Sequence, residues 1–265
     1  MTILIGKNLL VTGVARPDSI AFAVASRAQH LGADVVLAAF PRDLDSAMDA
    51  ARQLPRSPAA IVAADVTVPG DLDLVETEVR ATLGHLDGAL HAVAFAPAVA
   101  LDRILDVPSE AVETAFRTSV HSYAGLAGLL DRLAPTTGGS LVGLDFDSSQ
   151  AWPVYNWMGP CKAALRSLNQ YLARDLGPRR IRSNLVAAGP LTTRAASGIG
   201  GFDQLLHAWD ERSPLEWDHL DAAPVADAVC FLLSDLARSV TGEVLHADGG
   251  AHAIAAGHAD LAMVV

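Results

Sequence analysis

Short apolar runs alternate with longer amphipathic segments along the whole chain. Near-continuous apolar runs of this length are typical of strands in a parallel sheet that is covered on both faces. We predict seven such strands, at residues 8–14, 33–40, 59–65, 88–95, 139–146, 181–189 and 242–250.

The amphipathic segments between these runs predict helices, at residues 19–31, 43–53, 71–83, 109–133, 163–176 and 225–236. In the first of them, Ser19 is a suitable N-cap and Gly32 is a stop signal. The regular alternation predicts an α/β fold, namely a single doubly wound, parallel, seven-stranded sheet of the Rossmann type with helices on both faces. We expect one domain over residues 1–265.

One segment, residues 192–217, departs from the alternation. It is rich in Gly and Ala at first and then amphipathic, and it lies between the last two predicted strands. That is where a short substrate-binding lid would lie. An ordinary surface helix fits the same pattern equally well.

Charge and cysteine content narrow the function classes. The formal net charge of -11 argues against nucleic acid and against an anionic membrane surface as partners. Two cysteines are too few for a disulfide framework and indicate a reducing compartment. Because neither a signal peptide nor a long uncharged apolar stretch is apparent, we expect a cytoplasmic protein.

The first strand and the first helix could hold a pyrophosphate. Gly13 ends the strand, and backbone amides at Ser19 open the helix, where the helix dipole favours negative charge. The three-glycine fingerprint of dinucleotide folds is missing, so any α/β protein remains an alternative. Phe40 and Asp65 end the second and third strands, where adenosine would lie, and Arg42 is a possible partner for a 2′-phosphate.

The best candidates for chemistry are Tyr155 and Lys162. They are scarce residue types here, one of three tyrosines and one of two lysines. Pro160 is tolerated only in the first turn of a helix, which predicts a helix beginning between residues 156 and 159. A phenol just before that helix can donate to a developing oxyanion, and the lysine can bind a ribose diol and lower the pKa of the phenol. A buried structural tyrosine and a surface lysine are the alternative.

Four segments carry a resemblance to a known family. "GVARPDSIAF", "HAVAFAP", "YNWMGPCK" and "HADGGAH" resemble the NAD-dependent enoyl-(acyl-carrier-protein) reductases of type II fatty-acid synthesis, and in particular their actinobacterial, mycobacterial branch. That family is a divergent part of the short-chain dehydrogenase/reductase superfamily, whose ordinary members space Tyr and Lys four residues apart instead of seven.

The resemblance implies a site for NADH along the strand ends. Its residues are Gly13, Ser19, Ile20, Phe40, Asp65, Val66, Ala92, Val93, Ala94, Lys162, Gly189, Leu191 and Thr193.

It also implies the catalytic and substrate residues. Tyr155 would stabilise an enolate oxygen, Lys162 would bind the nicotinamide ribose, and Phe146 would line the channel beside the nicotinamide. The implied substrate contacts are Phe95, Tyr155, Met158 and Trp209. We expect no metal, because His246, His252 and His258 lack ligand spacing.

The partner that the resemblance implies is an enoyl-acyl carrier protein or enoyl-CoA. The resemblance also implies a homotetramer. Two departures keep alternatives open: Ala92 and Ala94 stand where relatives carry Ser and Gly, and residues 192–217 are shorter than in the mycobacterial branch. A reductase of an enone or polyketide intermediate in secondary metabolism therefore remains possible, as does a cofactor-binding homologue without catalysis.

Overall fold

A computed structural model describes residues 2–194 and 196–255. Its centre is one seven-stranded sheet, and every strand pairing in it is parallel, in the order β3-β2-β1-β4-β5-β6-β7. The predicted fold class is confirmed. The strands are β1 Asn8–Thr12, β2 Asp34–Ala39, β3 Ala60–Ala63, β4 Gly88–His91, β5 Gly139–Asp145, β6 Ile181–Ala188 and β7 Val244–Ala247.

Helices cover both faces of the sheet, and each predicted helix has a counterpart. The α-helices are α1 Ile20–His30, α2 Leu44–Ala51, α3 Pro69–Thr82, α4 Ser109–Phe116, α5 Ser122–Leu133, α6 Met158–Leu176, α7 Phe202–Arg212 and α8 Ala223–Leu233. Ser19 caps α1, as predicted, by accepting a hydrogen bond from Phe22 N at 3.1 Å. Helix α6 begins at Met158, inside the window that Pro160 predicts.

Two apolar layers hold the helices to the sheet. On one face α1 and α8 bury Val24, Ala28 and Val229 against β1 and β2. On the other face α3 and α5 bury Val75 and Leu130. Burial on both faces explains why the strands are apolar at nearly every position. Over the described residues, no helix combines the length and the apolar character needed to cross a bilayer.

The prediction of one uninterrupted helix over residues 109–133 is wrong. A π turn, Arg117–His121, separates α4 from α5. It directs the Ser119 hydroxyl onto the loop after β4, where Ser119 Oγ accepts from Phe95 N at 3.1 Å and donates to Phe95 O at 3.2 Å. One extra residue in a turn leaves the apolar spacing on either side intact, so the periodicity of the sequence gives no sign of it.

Residues 192–217 contain a short 3₁₀ turn, Ala196–Gly198, and then α7. Leu205 and Trp209 on α7 are buried, which ties this helix to the ends of β5 and β6.

The strand order reverses between β1 and β4, the position at which open α/β sheets bind ligands. At this position the backbone that follows β1 lies very close to the backbone that follows β4. Gly13 has φ +85°, and a Cβ at this position would lie 2.2 Å from Ala92 O. Only glycine satisfies both the backbone angle and the contact.

We therefore expect Gly13→Ala to lower the free energy of unfolding by about 2 kcal/mol or more, through left-handed backbone strain and the clash with the Ala92 carbonyl. Chemical denaturation of both proteins measures this. Gly70→Ala in α3 is the matched control, because a Cβ there meets nothing within 4 Å. Equal losses in the two variants would contradict the assignment of strain to Gly13.

Candidate active site

The residues expected around a pyrophosphate converge at the switch point. Gly13 leaves β1 beside Ala92, and Ser19 and Ile20 open α1 directly after the connecting loop. Ala92 N donates to Thr12 Oγ1 at 3.2 Å, which fixes the loop after β4 against β1. Backbone amides at the start of α1, where the helix dipole favours negative charge, suit a phosphate group.

The residues expected at adenosine lie at the ends of β2 and β3. The Phe40 ring is 43% exposed, and the Arg42 guanidinium lies 5.1 Å from its centroid. Asp65 Oδ1 accepts from Thr67 N at 2.9 Å and from Thr67 Oγ1 at 2.7 Å, so part of this carboxylate shapes the turn before α3. Val66 is buried beside it.

The remaining cofactor candidates lie after β4 and β6. Val93 and Ala94 follow Ala92 in the loop, and Ala94 is exposed. Gly189 lies under two indoles, because a Cβ there would be 2.6 Å from the Trp217 ring and 2.8 Å from Trp209 Nε1.

Beyond Gly189, Leu191 is buried. The Thr193 hydroxyl accepts from Ala196 N at 3.2 Å.

Tyr155 is placed by a strained loop that ends at α6. Its neighbours Val154 and Asn156 have φ of +55° and +36°, a region that costs about 1–3 kcal/mol for a residue other than glycine. The phenol ring is buried, 4.7 Å from the centroid of Phe146. Its hydroxyl has no hydrogen-bond partner among the described residues, so it is available to a ligand.

Lys162 lies inside α6 and is buried, and its Nζ donates to Leu144 O at 2.9 Å. Burial lowers the pKa of Lys162. The expectation that Lys162 lowers the pKa of the phenol is wrong: burial raises the pKa of Tyr155, and the Asp145 carboxylate adds to the rise. Tyr155 is consequently a protonated hydrogen-bond donor at neutral pH.

Aromatic side chains surround Phe146, whose centroid is 5.1 Å from that of Trp209 and 5.8 Å from that of Trp152. Trp209 is fixed by its Nε1, which donates to Asp248 O at 3.1 Å. Of the expected substrate residues, Tyr155, Met158 and Trp209 join this apolar group, and the exposed Phe95 lies outside it.

Sequence reasoning missed Arg166. One turn after Lys162 on α6, its guanidinium donates through Nε to Asp145 Oδ2 and through a terminal nitrogen to Asp147 Oδ1, both at 2.8 Å. These two aspartates flank Phe146, and both are held by hydrogen bonds from Arg166. The four-residue spacing from Lys162 was the available signal for Arg166.

Comparison with known proteins agrees with this geometry. The sequence model of the family described as enoyl-(acyl carrier protein) reductase matches residues 13–252. An enoyl-(acyl-carrier-protein) reductase (NADH) of Mycolicibacterium smegmatis is 41% identical over 262 residues, covering 93% of this chain and 96% of that protein. A protein of the same name from Mycobacterium avium is 42% identical over 261 residues, with the same two coverages. The chain belongs to the enoyl-(acyl-carrier-protein) reductase family.

The resemblance to the enoyl reductases carried by "YNWMGPCK" is thus confirmed. Relatives in this family are named for either nicotinamide cofactor. An enoyl-(acyl-carrier-protein) reductase (NADPH) of Staphylococcus aureus is 35% identical over 254 residues, 94% of this chain and 97% of that protein.

Two histidines near the candidate active site stack on each other. The rings of His246 and His252 are 3.8 Å apart; His246 faces Asp147 and His252 faces Asp248. Over residues 2–194 and 196–255, no three His, Cys, Asp or Glu side chains are grouped to hold a metal ion. His258 lies outside the described residues.

A third histidine, His91, ends β4 in the interior. Its Nε2 lies 2.7 Å from Ser122 Oγ, and its Nδ1 has no partner among the described residues. Burial, and then the charge of Lys162, lowers the pKa of His91 to about 3. The unfolded chain binds a proton on this residue below about pH 6.5 and the folded protein does not, so stability is full above that pH and falls as the pH drops toward 3.

We expect His91→Phe to flatten the pH dependence of the free energy of unfolding between pH 6 and pH 4 by about 1.4 kcal/mol per pH unit. Urea unfolding across this range measures the slope. His207→Phe, at an exposed position on α7, is the control for the loss of an imidazole. A slope unchanged from that of the unaltered protein would show that His91 ionises in the folded state.

Proposed function

We propose that this protein uses NADH to reduce the trans-2 double bond of an enoyl thioester in type II fatty-acid synthesis, with the acyl group on acyl carrier protein or coenzyme A. The observation that carries the proposal is the placement of Tyr155 against Phe146, just before the helix that buries Lys162. NADH, when bound, supplies the hydride that adds to the β-carbon.

Tyr155 supplies the hydrogen bond that conjugate reduction needs. Addition at the β-carbon moves negative charge onto the thioester oxygen, and a donor already in place stabilises that charge without reorganising. A phenol is protonated at neutral pH, and burial raises the pKa of Tyr155 further. Its hydroxyl is not committed to another described residue, so it can donate to the substrate oxygen. The α-carbon then takes a proton from water, which completes the addition of hydride and proton across the double bond.

Lys162 orients the cofactor. An ammonium has three donors, and Leu144 O accepts one of them, which leaves two for the ribose hydroxyls next to the nicotinamide. Phe146 supplies an apolar wall beside the reacting carbons and excludes water. Gly13, Ser19 and Ile20 hold the pyrophosphate, and the residues after β2, β3, β4 and β6 hold the two ends of the dinucleotide.

Met158 and Trp209 form the wall that meets the acyl chain, and residues 192–217 form the lid over it. Trp209 is 1% exposed, and Trp152 packs on it at 4.4 Å between centroids. An acyl chain displaces part of this aromatic group on binding. Phe95, 47% exposed, borders the entrance.

The choice of NADH over NADPH rests on the names of the two mycobacterial relatives and on the end of β2. A 2′-phosphate needs a committed cationic partner, and Arg42 instead lies over the Phe40 ring, 3.7 Å from Asp43. We expect turnover with NADPH to be slower.

We also propose a cytoplasmic homotetramer. Apolar and aromatic side chains remain exposed on neighbouring helices, with Phe116 on α4 and Tyr171 on α6 each about half exposed. Association of these helices between copies would cover them. Light scattering on the purified protein measures the assembly.

The decisive assay follows the absorbance of NADH with trans-2-octenoyl-coenzyme A. We expect turnover that falls about 100-fold or more in Tyr155→Phe, since the stabilising donor is lost while the ring remains. Tyr171→Phe removes a hydroxyl remote from the candidate site and keeps the ring that we place between subunits, so it is the matched control and should keep full activity. NADPH is run in parallel.

A folded protein that binds NADH but turns over no enoyl thioester of any chain length would refute the proposal. Reduction of cyclic enones in place of thioesters would assign it to secondary metabolism. Binding of NADH with neither activity would make it a cofactor-binding homologue without catalysis.

A further inference from the structure

Three charged side chains next to Phe146, those of Asp145, Asp147 and Arg166, form specific hydrogen bonds with one another. Asp145 ends β5 and Asp147 follows two residues later; both side chains reach the same guanidinium, while Phe146 between them packs on Tyr155. A single guanidinium, that of Arg166, holds both carboxylates at 2.8 Å. The planar fork of arginine is suited to fixing two acceptors at once.

Burial makes cationic partners important for both carboxylates. The side chains of Asp145 and Asp147 are 0% and 3% exposed, and that of Arg166 is 22% exposed. A buried carboxylate without a cation costs several kcal/mol. Asp145 Oδ1 already lacks a partner among the described residues, so the contact of Oδ2 with Arg166 is its only hydrogen bond from a side chain.

We call the contact of Arg166 with Asp145 and Asp147 the clamp. The backbone that the clamp fixes carries groups that take part in the proposed reaction. Leu144 O, immediately before Asp145, receives Lys162 Nζ. Phe146, between the two aspartates, packs on Tyr155 and Trp209.

Asp147 also connects the clamp to Trp152, one of the aromatic residues around Phe146. Its carbonyl accepts from Trp152 Nε1 at 2.6 Å, and its Oδ2 accepts from Ser149 Oγ at 2.6 Å. The His246 ring nitrogen lies 3.4 Å from the remaining oxygen, which Arg166 also holds.

We propose that Arg166 is a positioning residue for the reduction: by clamping Asp145 and Asp147 it sets where Phe146 stands against Tyr155 and where Leu144 O receives Lys162. Arg166 touches neither reactant, and it acts through the turn that it holds. This inference rests on the proposed function, since it assigns Arg166 a part in that reaction.

The test compares Arg166→Gln with Arg174→Gln, an exposed arginine on the same helix paired with Asp175. In Arg166→Gln we expect kcat per folded enzyme to fall by up to about 100-fold, the effect of misplacing reacting groups by roughly 1 Å. KM for NADH should rise only a few-fold, because the contacts at the switch point are untouched and only the contact of Lys162 with the ribose is displaced. Arg166→Lys keeps the charge without the fork and should recover part of kcat. Arg174→Gln should leave both constants unchanged.

A second readout separates positioning from a loss of stability. Trp152 and Trp209 are close enough to couple in near-ultraviolet circular dichroism, so release of Asp147 should change that signal below the unfolding temperature. The double variant Arg166→Gln with Asp147→Asn should be no slower than Arg166→Gln alone, since both act through one contact. If Arg166→Gln does not fold, Ser149→Ala, which removes a surface bond to the same carboxylate, should lower kcat in the same direction.

Unchanged kcat in folded Arg166→Gln overturns the inference and leaves the proposed function standing. Additive losses in the double variant, or a rise in KM for NADH with kcat retained, also overturn it. An unaltered protein without enoyl reductase activity overturns the proposed function, and the role of Arg166 in that reaction falls with it.

Discussion

The packing of α6 against the end of β5 is the constraint on which the candidate site depends. Lys162 and Arg166, one helical turn apart, reach the same short stretch of backbone, Leu144 to Asp147. Buried charges are tolerated only where partners meet them. Since the partners match at a single position of the helix along the strand, α6 cannot slide, and Tyr155 at its start is fixed with it.

The loop before α6 shows how a strained backbone can be held in place. Val154 and Asn156 both adopt left-handed angles, and Tyr155 lies between them. The following residue, Trp157, is tied to the segment after β4, because its backbone N donates to Ala100 O at 3.3 Å and its Nε1 donates to Ile104 O at 3.1 Å. These anchors offset the strain. They keep Tyr155 outside the regular helix, which begins at Met158.

Local signals in the sequence predicted the fold well and the electrostatics of the site poorly. Strands, the Ser19 cap and the start of α6 at Met158 follow from apolar runs, capping chemistry and Pro160, all of which act over a few residues. The sign of the pKa shift of Tyr155 was missed because it depends on distances in space to Asp145 and on burial. Arg166 was missed for a related reason: its partners come from β5, about twenty positions earlier in the chain.

The π turn lets one helix serve two different interiors. An added residue rotates everything beyond it by about 100° around the helix axis. Before the turn, Ala115 faces the aromatic group around Phe146; after it, Leu126 and Leu130 face the core beneath the sheet. A regular helix would align these faces and turn one of them toward solvent. A change of helical phase thus joins the reactive end of the molecule to its scaffold without a loop between them.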